Sequence, residues 1–348
     1  MKQKKIRKGD RISVSREVKL KDIASELNVS IVTVSNALSG KKGVSDSVRK
    51  QVIEKAKEMG YNTTKYEKKA EPTVRIGVIV SEKYLEVGAS FYWALYQQVA
   101  YMASKKNSFT IFDVLESKKE EQKELPKILS EEGIDGIIII GWMEHDYVKK
   151  IVESTKIPVV LLDFHIDDLP CDAVISNNYV GMYKMTRYLL ERGHREIAFV
   201  GSIYANENIM DRYFGYRKGM MEYGISVKPE WVIKDRDIET NTLGVELPRK
   251  MPTAFVCNCD LTASILHDEL KKIGYDVPED ISIVGYDNYL YGHSFANEVT
   301  TCNVDMEQMA KEAVHILLKR VKGISTHAGI HYVDSKVVER TSVKERTE

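Results

Sequence analysis

From Val74 onward the chain alternates short apolar runs with amphipathic stretches, and that alternation leaves few folds open to it. The runs VRIGVIV (74–80), FTIFDVL (109–115), GIIII (136–140), PVVLLD (158–163) and DAVIS (172–176) are the kind buried on both faces of a parallel sheet. Phe91–Ser104 and residues 122–132 read as helices among them. A second series starts near Glu196 with EIAFVG, TAFVCN (253–258) and ISIVGYD (281–287), and with helices over 212–223, 261–273 and Met306–Val321. Strands alternating with helices predict parallel sheets covered by helices, so two series predict two α/β lobes. Ligands of such sheets bind beyond the carboxyl ends of the strands. That rule brings Asp163, residues 176–178, Gly201, Ser202, Asp260 and Asp287 around one cleft.

The first 70 residues differ in kind. They hold 18 Lys/Arg against 8 Asp/Glu, whereas the remaining 278 hold 33 against 43, so a net charge of zero conceals a basic headpiece on an acidic body. Such an asymmetry directs only the headpiece toward a polyanion. In LKDIASELNVSIVTVSNALS (20–39), Leu20, Ile23, Ala24 and Leu27 fall on one face of a two-turn helix. Ser30 is an N-cap for a second helix that buries Val34, Ala37 and Leu38, with Val29 at its entry. A third helix starts at Ser45, carries Val48, Val52, Ala56 and Met59 inward, and ends at Gly60. Three short helices with a tight corner between the first two predict a helix-turn-helix.

Helix two then presents a reading surface. Asn36 can bridge adenine N6 and N7, Ser35 can bond base or phosphate, and Ile31 and Val32 can press on thymine methyls. Ser30 and Thr33 at the positive helix end suit phosphate oxygens, and Lys41 and Lys42 add sequence-blind phosphate contacts. Lys19 and Leu20, where the first helix begins, complete the candidate DNA-binding set. A protein-docking role for the three helices, with Ile31 and Val32 as anchors, is the alternative that the basic charge disfavours.

Residues 18–61 closely resemble the headpiece of the LacI/GalR family of bacterial transcription regulators, without gaps through LKDIA, VS..TVS, VS and MGY. The resemblance extends over nearly the whole chain, through NNYVGMYKMTRYLLERGHREIAFVG, DRYFGYRKGM, CDLTA, GYDVPEDISIVGYDN and VTTCNVDMEQMAKEAVHILL. It implies an effector domain similar to periplasmic sugar-binding proteins, with Phe91, Tyr92, Asp163, Arg212, Cys259, Asp260 and Asp287 at the ligand. It also implies that Ile31 and Val32 set operator choice, and that Asn36 replaces the Arg of many members. Arg212 can clamp hydroxyls or a carboxylate in bidentate fashion. Cys259 stands where most members have Asn, and a thiol is a poor hydrogen-bond partner. In the linker Thr63 and Thr64 replace the family's Pro-Asn, and Ala70 falls near an expected Leu. Alanine cannot act as the apolar wedge of minor-groove kinking, and Tyr66 is in the wrong register to replace it.

The expected organisation is a basic N-terminal extension (1–17), a headpiece (18–62), a linker with a degenerate hinge (63–73) and a two-lobed ligand-binding and dimerisation domain (74–348). The expected function is a dimeric repressor of a pseudo-palindromic DNA operator, controlled by a small carbohydrate effector. The rivals are a regulator switched by a phosphocarrier protein and a sugar-sensing module without operator binding. No run of about 18 apolar residues and no secretory leader pattern occurs, so a cytoplasmic protein without a membrane span is expected. Four cysteines do not make a disulfide framework, and Cys257 and Cys259 lack a second pair at zinc spacing. No catalytic triad, phosphate loop or dinucleotide fingerprint can be read, so neither enzymatic activity nor a cofactor or metal is expected.

Replacing the base-reading amide has a direct readout. Asn36→Ala is expected to weaken binding to the preferred duplex by about 1–3 kcal/mol and to relax selectivity at one base pair. Equal losses on every duplex tested would rule out a base contact.

Overall fold

The computed structural model describes residues 18–63, 73–85, 90–130, 132–238, 242–289, 292, 294–324 and 327–346. The basic extension and the linker positions Thr64, Tyr66 and Ala70 lie outside the described residues. The chain divides into two compact units between Pro72 and Thr73.

The first unit holds α1 (Leu20–Glu26), α2 (Ile31–Ser39) and α3 (Asp46–Glu58). The corner between α1 and α2 turns at Asn28, whose φ of 51° lies in the left-handed region that asparagine tolerates better than most residues. Ser30 caps α2 by accepting from Thr33 N at 3.0 Å, and Ser45 caps α3 by accepting from Val48 N at 3.4 Å. Ile23, Ala24, Val34, Ala37, Val52 and Ala56 form the buried centre, with Leu20, Val29, Leu38, Val48 and Met59 packed around them. Gly60, at φ 73°, follows the last turn as expected.

The second unit is built on two six-stranded sheets. Its elements run β1 (Val74–Ser81), α4 (Phe91–Ser104), β2 (Ser108–Leu115), α5 (Ser117–Glu121), β3 (Gly136–Ile140), α6 (His145–Glu153), β4 (Val159–Leu162) and β5 (Asp172–Ser176). They continue α7 (Asn178–Glu191), β6 (Ile197–Val200), α8 (Glu207–Glu222), β7 (Val232–Ile233), β8 (Ala254–Cys257), α9 (Asp260–Lys272) and β9 (Ser282–Asp287). The last are β10 (Thr300–Asn303), α10 (Met306–Val321), β11 (Ile330–Val333) and β12 (Lys336–Val338). The first sheet has the order β11-β5-β4-β3-β1-β2 and is parallel throughout. The second has the order β12-β10-β9-β8-β6-β7 and is parallel except for its antiparallel edge strand β12.

The central strands are buried along their whole length, which explains their unbroken apolar runs. The chain passes between the sheets after β5, after β10 and after β11, so each lobe is assembled from separated segments.

One expected helix is absent. Residues 122–132 do not continue α5; the chain turns at Lys123 (φ 53°) and then makes a short 3-10 turn over Lys127–Ser130. Pro126 is the cause, because it has no N–H to donate and its ring excludes the helical conformation of the residue before it. Helix α8 begins five residues before the expected 212, at an Asn206 cap that accepts from Ile209 N at 2.9 Å.

Helices α7 and α8 pack closely because Gly215 carries no side chain. A Cβ there would sit 2.2 Å from the Tyr179 carbonyl oxygen. Behind them His194 is buried, with Nδ1 3.0 Å from Thr253 Oγ1 and Nε2 3.1 Å from the Lys344 carbonyl. A carbonyl can only accept, so Nε2 carries the proton of the neutral ring.

Burial depresses the His194 pKa to about 4, so the unfolded chain takes up a proton at higher pH than the folded one. Stability should therefore fall as pH drops from about 6.5 to about 4, by on the order of 2–3 kcal/mol from this residue. Urea unfolding of wild type and His194→Gln between pH 4 and 7 checks it; parallel pH profiles would refute the assignment.

Candidate functional site

Two surfaces carry the candidate residues, one in each unit. In the headpiece, Ile31 and Val32 are 52% and 67% exposed, although isoleucine and valine are among the residues most often buried. Lys19, Ser30, Lys41 and Lys42 are exposed beside them, while Thr33, Ser35 and Asn36 are half-exposed. Ser30 Oγ and Thr33 Oγ1 lie 2.8 Å apart, so one hydroxyl hydrogen of the pair serves the other and one remains for an outside acceptor. Leu20 differs from the other residues of the expected DNA-binding set, because it leans on the headpiece core.

In the second unit an aspartate held in the left-handed region stands just after β4 and another ends β9, Asp163 at φ 70° and Asp287 at φ 100°. Non-glycine residues occupy that region at a cost and cluster where function needs a side chain aimed. Both carboxylates line one cavity of about 130 Å³, together with Tyr84, Phe91, Tyr92, Asn206, Asn208, Ile209, Arg212, Arg236, Asn258 and Cys259.

Arg212 organises this cavity. It projects from α8 and is 7% exposed. Its Nε donates to Asn178 Oδ1 at 2.8 Å and its Nη1 to the Asn258 carbonyl at 2.7 Å, while Nη2 lies 3.4 Å from Asp287 Oδ1. The guanidinium carbon sits 4.0 Å from the centre of the Tyr286 ring. Asp163 comes from the other lobe. Its Oδ2 accepts from Tyr92 OH at 3.1 Å, and its carbonyl accepts from Asn208 Nδ2 at 2.8 Å across the cleft. Burial pushes the Asp163 carboxyl up to about 7, with Arg212 opposing the rise and Asp287 adding to it.

A second guanidinium, Arg236, is held by its neighbour Asp235, with Nη2 2.8 Å from Oδ2. Burial works against ionising Asp235, yet Arg236 and the donors Thr262 and Ser202 hold its pKa down at about 2. At the same side of the cleft Glu207 faces two histidines of the other lobe, each 3.5 Å away: His145 Nε2 and His165 Nδ1.

The expected ligand set thus splits. Phe91, Tyr92, Asp163, Arg212, Cys259 and Asp287 meet at the cavity, but Asp260 does not line it. Asp260 is buried beneath, where its oxygens accept from Thr301 Oγ1 at 2.7 Å and Tyr289 N at 3.0 Å. Cys259 caps α9 through its sulfur, which accepts from Thr262 N at 3.5 Å. Ser202 is likewise committed inside the second lobe, donating to the Arg236 carbonyl at 2.9 Å. The residues not expected are Tyr84, Asn206, Asn208, Ile209, Arg236 and Asn258. Asn206 and Asn208 had a usable signal as polar residues at a helix start, whereas KDRD around Arg236 has no periodicity to place it.

Residues 19–64 match the bacterial regulatory proteins of the lacI family, and residues 186–343 match the periplasmic binding protein-like domain. The chain thus carries a lacI-family DNA-binding domain followed by a periplasmic binding protein-like domain. It is 28% identical over 332 residues to the HTH-type transcriptional repressor PurR of Aliivibrio salmonicida, spanning 93% of this chain and 98% of that protein. Two solved structures share the fold. One is the complex of the transcriptional regulator CelR with cellobiose (TM-score 0.66, 21% identity), and the other the lac repressor dimer bound to operator and the anti-inducer ONPF (TM-score 0.64, 20% identity). Each covers 94% of this chain, and all of the matched chain is covered in return. With these two domains the chain is a DNA-binding, repressor-type regulator, and the relatives it matches are repressors rather than enzymes. None of the described helices is long and apolar enough to cross a membrane, and no described group of three His, Cys, Asp or Glu residues could hold a metal ion.

The raised Asp163 pKa has a sign opposite to that of His194. A carboxyl lifted from 3.8 to about 7 favours the folded state below about pH 4, and that contribution is lost as pH rises through about 7. Relative to wild type, Asp163→Asn should therefore gain stability between pH 5 and 8, by on the order of a few kcal/mol. Urea unfolding at the two pH values reads the difference; an unchanged difference would mean that Asp163 is ionised throughout.

Proposed function

We propose that this lacI-family regulator represses transcription in the cytoplasm as a homodimer, each headpiece filling one half-site of a pseudo-palindromic operator. A compact carbohydrate in the interlobe cleft controls it. The observation that carries the effector reading is the buried Arg212–Asp287 pair facing Asp163 across a cavity of about 130 Å³. That volume is below the ~300–1,000 Å³ of common ligand pockets, which favours one small ring over a larger molecule.

Charged and amide groups around it suit hydroxyls that both donate and accept, and the Phe91 and Tyr92 rings suit the apolar face of a sugar. The cellobiose held by the structural relative CelR supports the same ligand class. Two-fold pairing is supported by the lac repressor relative, described as a dimer on operator, and by an apolar edge of the first lobe. There Trp93 and Tyr101 of α4 and Val114 of the edge strand β2 are exposed, as are Phe109 and Ile111 on the other face of that strand. An edge strand with exposed apolar side chains suits pairing with a second copy.

Regulation then follows from differential affinity. A ligand that binds one lobe arrangement better than the other shifts the population toward it, and two-fold pairing turns a change of lobe angle into a change of headpiece spacing. Half-site spacing is a geometric property of the dimer, so spacing controls operator affinity.

Selection of sites from random duplex DNA by the full-length protein at physiological salt tests the operator reading. A two-fold symmetric motif is expected; weak, sequence-blind recovery would leave the body as a sensor without an operator. Calorimetry with a panel of monosaccharides then tests the effector. Asp287→Ala should abolish the ligand response while leaving DNA affinity intact, and an undiminished response would remove Asp287 from the site.

A further inference from the structure

The geometry points to Arg49 as a positioning residue for DNA binding, one that holds the loop behind the recognition helix so that Lys41 meets a phosphate. This rests on the reading of Lys41 as a phosphate contact.

Helix α2 ends at Gly40, whose φ of 72° turns the chain out of the helix. The last carbonyls of any helix lack intrahelical partners and must find others. Here Asn36 O accepts from Lys41 N at 3.1 Å, and Ala37 O faces Gly40 N at 3.4 Å. Arg49 reaches the same carbonyls from the first turns of α3. Its Nη1 donates to Ala37 O at 2.8 Å and to Asn36 O at 3.2 Å, and its Nη2 donates to Lys41 O at 2.7 Å. One planar group thereby takes acceptors from both sides of the Gly40 bend.

Three consequences follow. Lys41 is held at both ends of its own backbone, through its N–H by Asn36 and through its carbonyl by Arg49. The positive guanidinium sits at the negative end of the α2 dipole, which favours it further. The loop itself offers little internal order, because Gly43 also has a left-handed φ, of 100°, and Lys41 and Lys42 are exposed. A contact made by a residue already held costs less ordering entropy on binding than one made from a loose loop. Lysine at position 49 would retain the charge but cannot span two acceptor directions as the guanidinium fork does.

A double-mutant cycle in the full-length protein tests this, with affinity for a mixed-sequence duplex followed against salt concentration. Lys41→Ala alone should weaken binding several-fold and flatten the slope of log K against log salt by about 0.9, one phosphate contact. Arg49→Lys and Arg49→Met should each do nearly the same, and adding Lys41→Ala to either should change little more. Circular dichroism confirms that the headpiece helices are retained, since unfolding alone lowers the active fraction without changing the slope. A silent Lys41→Ala would overturn the phosphate reading and the proposal with it. A normal Lys41→Ala effect that adds in full to the Arg49 effects would overturn the positioning role alone, as would an Arg49→Lys protein that binds like wild type.

Discussion

A buried guanidinium must be matched by charge and by hydrogen bonds, and Arg212 imposes that requirement on the second unit. An unpaired buried charge is far too costly to keep. Its partners therefore come from wherever the fold can supply them: Asn178 at the start of α7, the Asn258 carbonyl after β8, and Asp287 at the end of β9. Those segments are distant in sequence: Asn258 and Asp287 stand at the carboxyl ends of parallel neighbours in the second sheet, and Asn178 enters from the crossing that follows β5 of the first. The Tyr286 ring closes the remaining side. The same arrangement leaves the cavity lined with groups already aimed, so a ligand need not reorganise them on entry.

The cleft is bridged as well as lined. Asn208 donates to the Asp163 carbonyl and accepts from Asn178 at 2.9 Å, and Tyr289 OH donates to the Ser90 carbonyl at 3.2 Å. These bonds join the lobes with few atoms and in polar surroundings. A bound hydroxylated ligand offers comparable bonds, so lobe closure and ligand binding draw on the same donors. That is the physical basis on which a small molecule can bias the angle between two sheets joined by short crossings.

The headpiece follows the opposite logic. Its buried centre is small, and two of its most apolar side chains, Ile31 and Val32, lie outside it on α2. Such exposure suits the proposed contact with thymine methyls, with lysines around it for the backbone. The charge of the chain is partitioned accordingly, the basic excess residing in the first 70 residues and the acidic excess in the rest.

Helix-turn-helix order, eight of the twelve described strands and the aspartates Asp163 and Asp287 were legible in the sequence, because each depends on local periodicity, caps and strand length; β7, β10, β11 and β12 were not. Pro126 was an equally local signal, and giving it due weight would have ended the expected helix over 122–132. Other features were decided only by tertiary structure. Asp260 and Asp287 look alike in sequence, each beside an apolar run, yet one is turned inward to Thr301 and Tyr289 and the other faces the cavity. The difference lies in which hydrogen-bond donors the folded sheets bring near. Arg236 joined the cavity for the same reason, since no spacing along the chain records a neighbour from the opposite lobe. Sequence determined the elements and the chemistry available at their ends; the packing of two parallel sheets decided which of those groups share a site, because burial and partner geometry exist only once the chain has closed on itself.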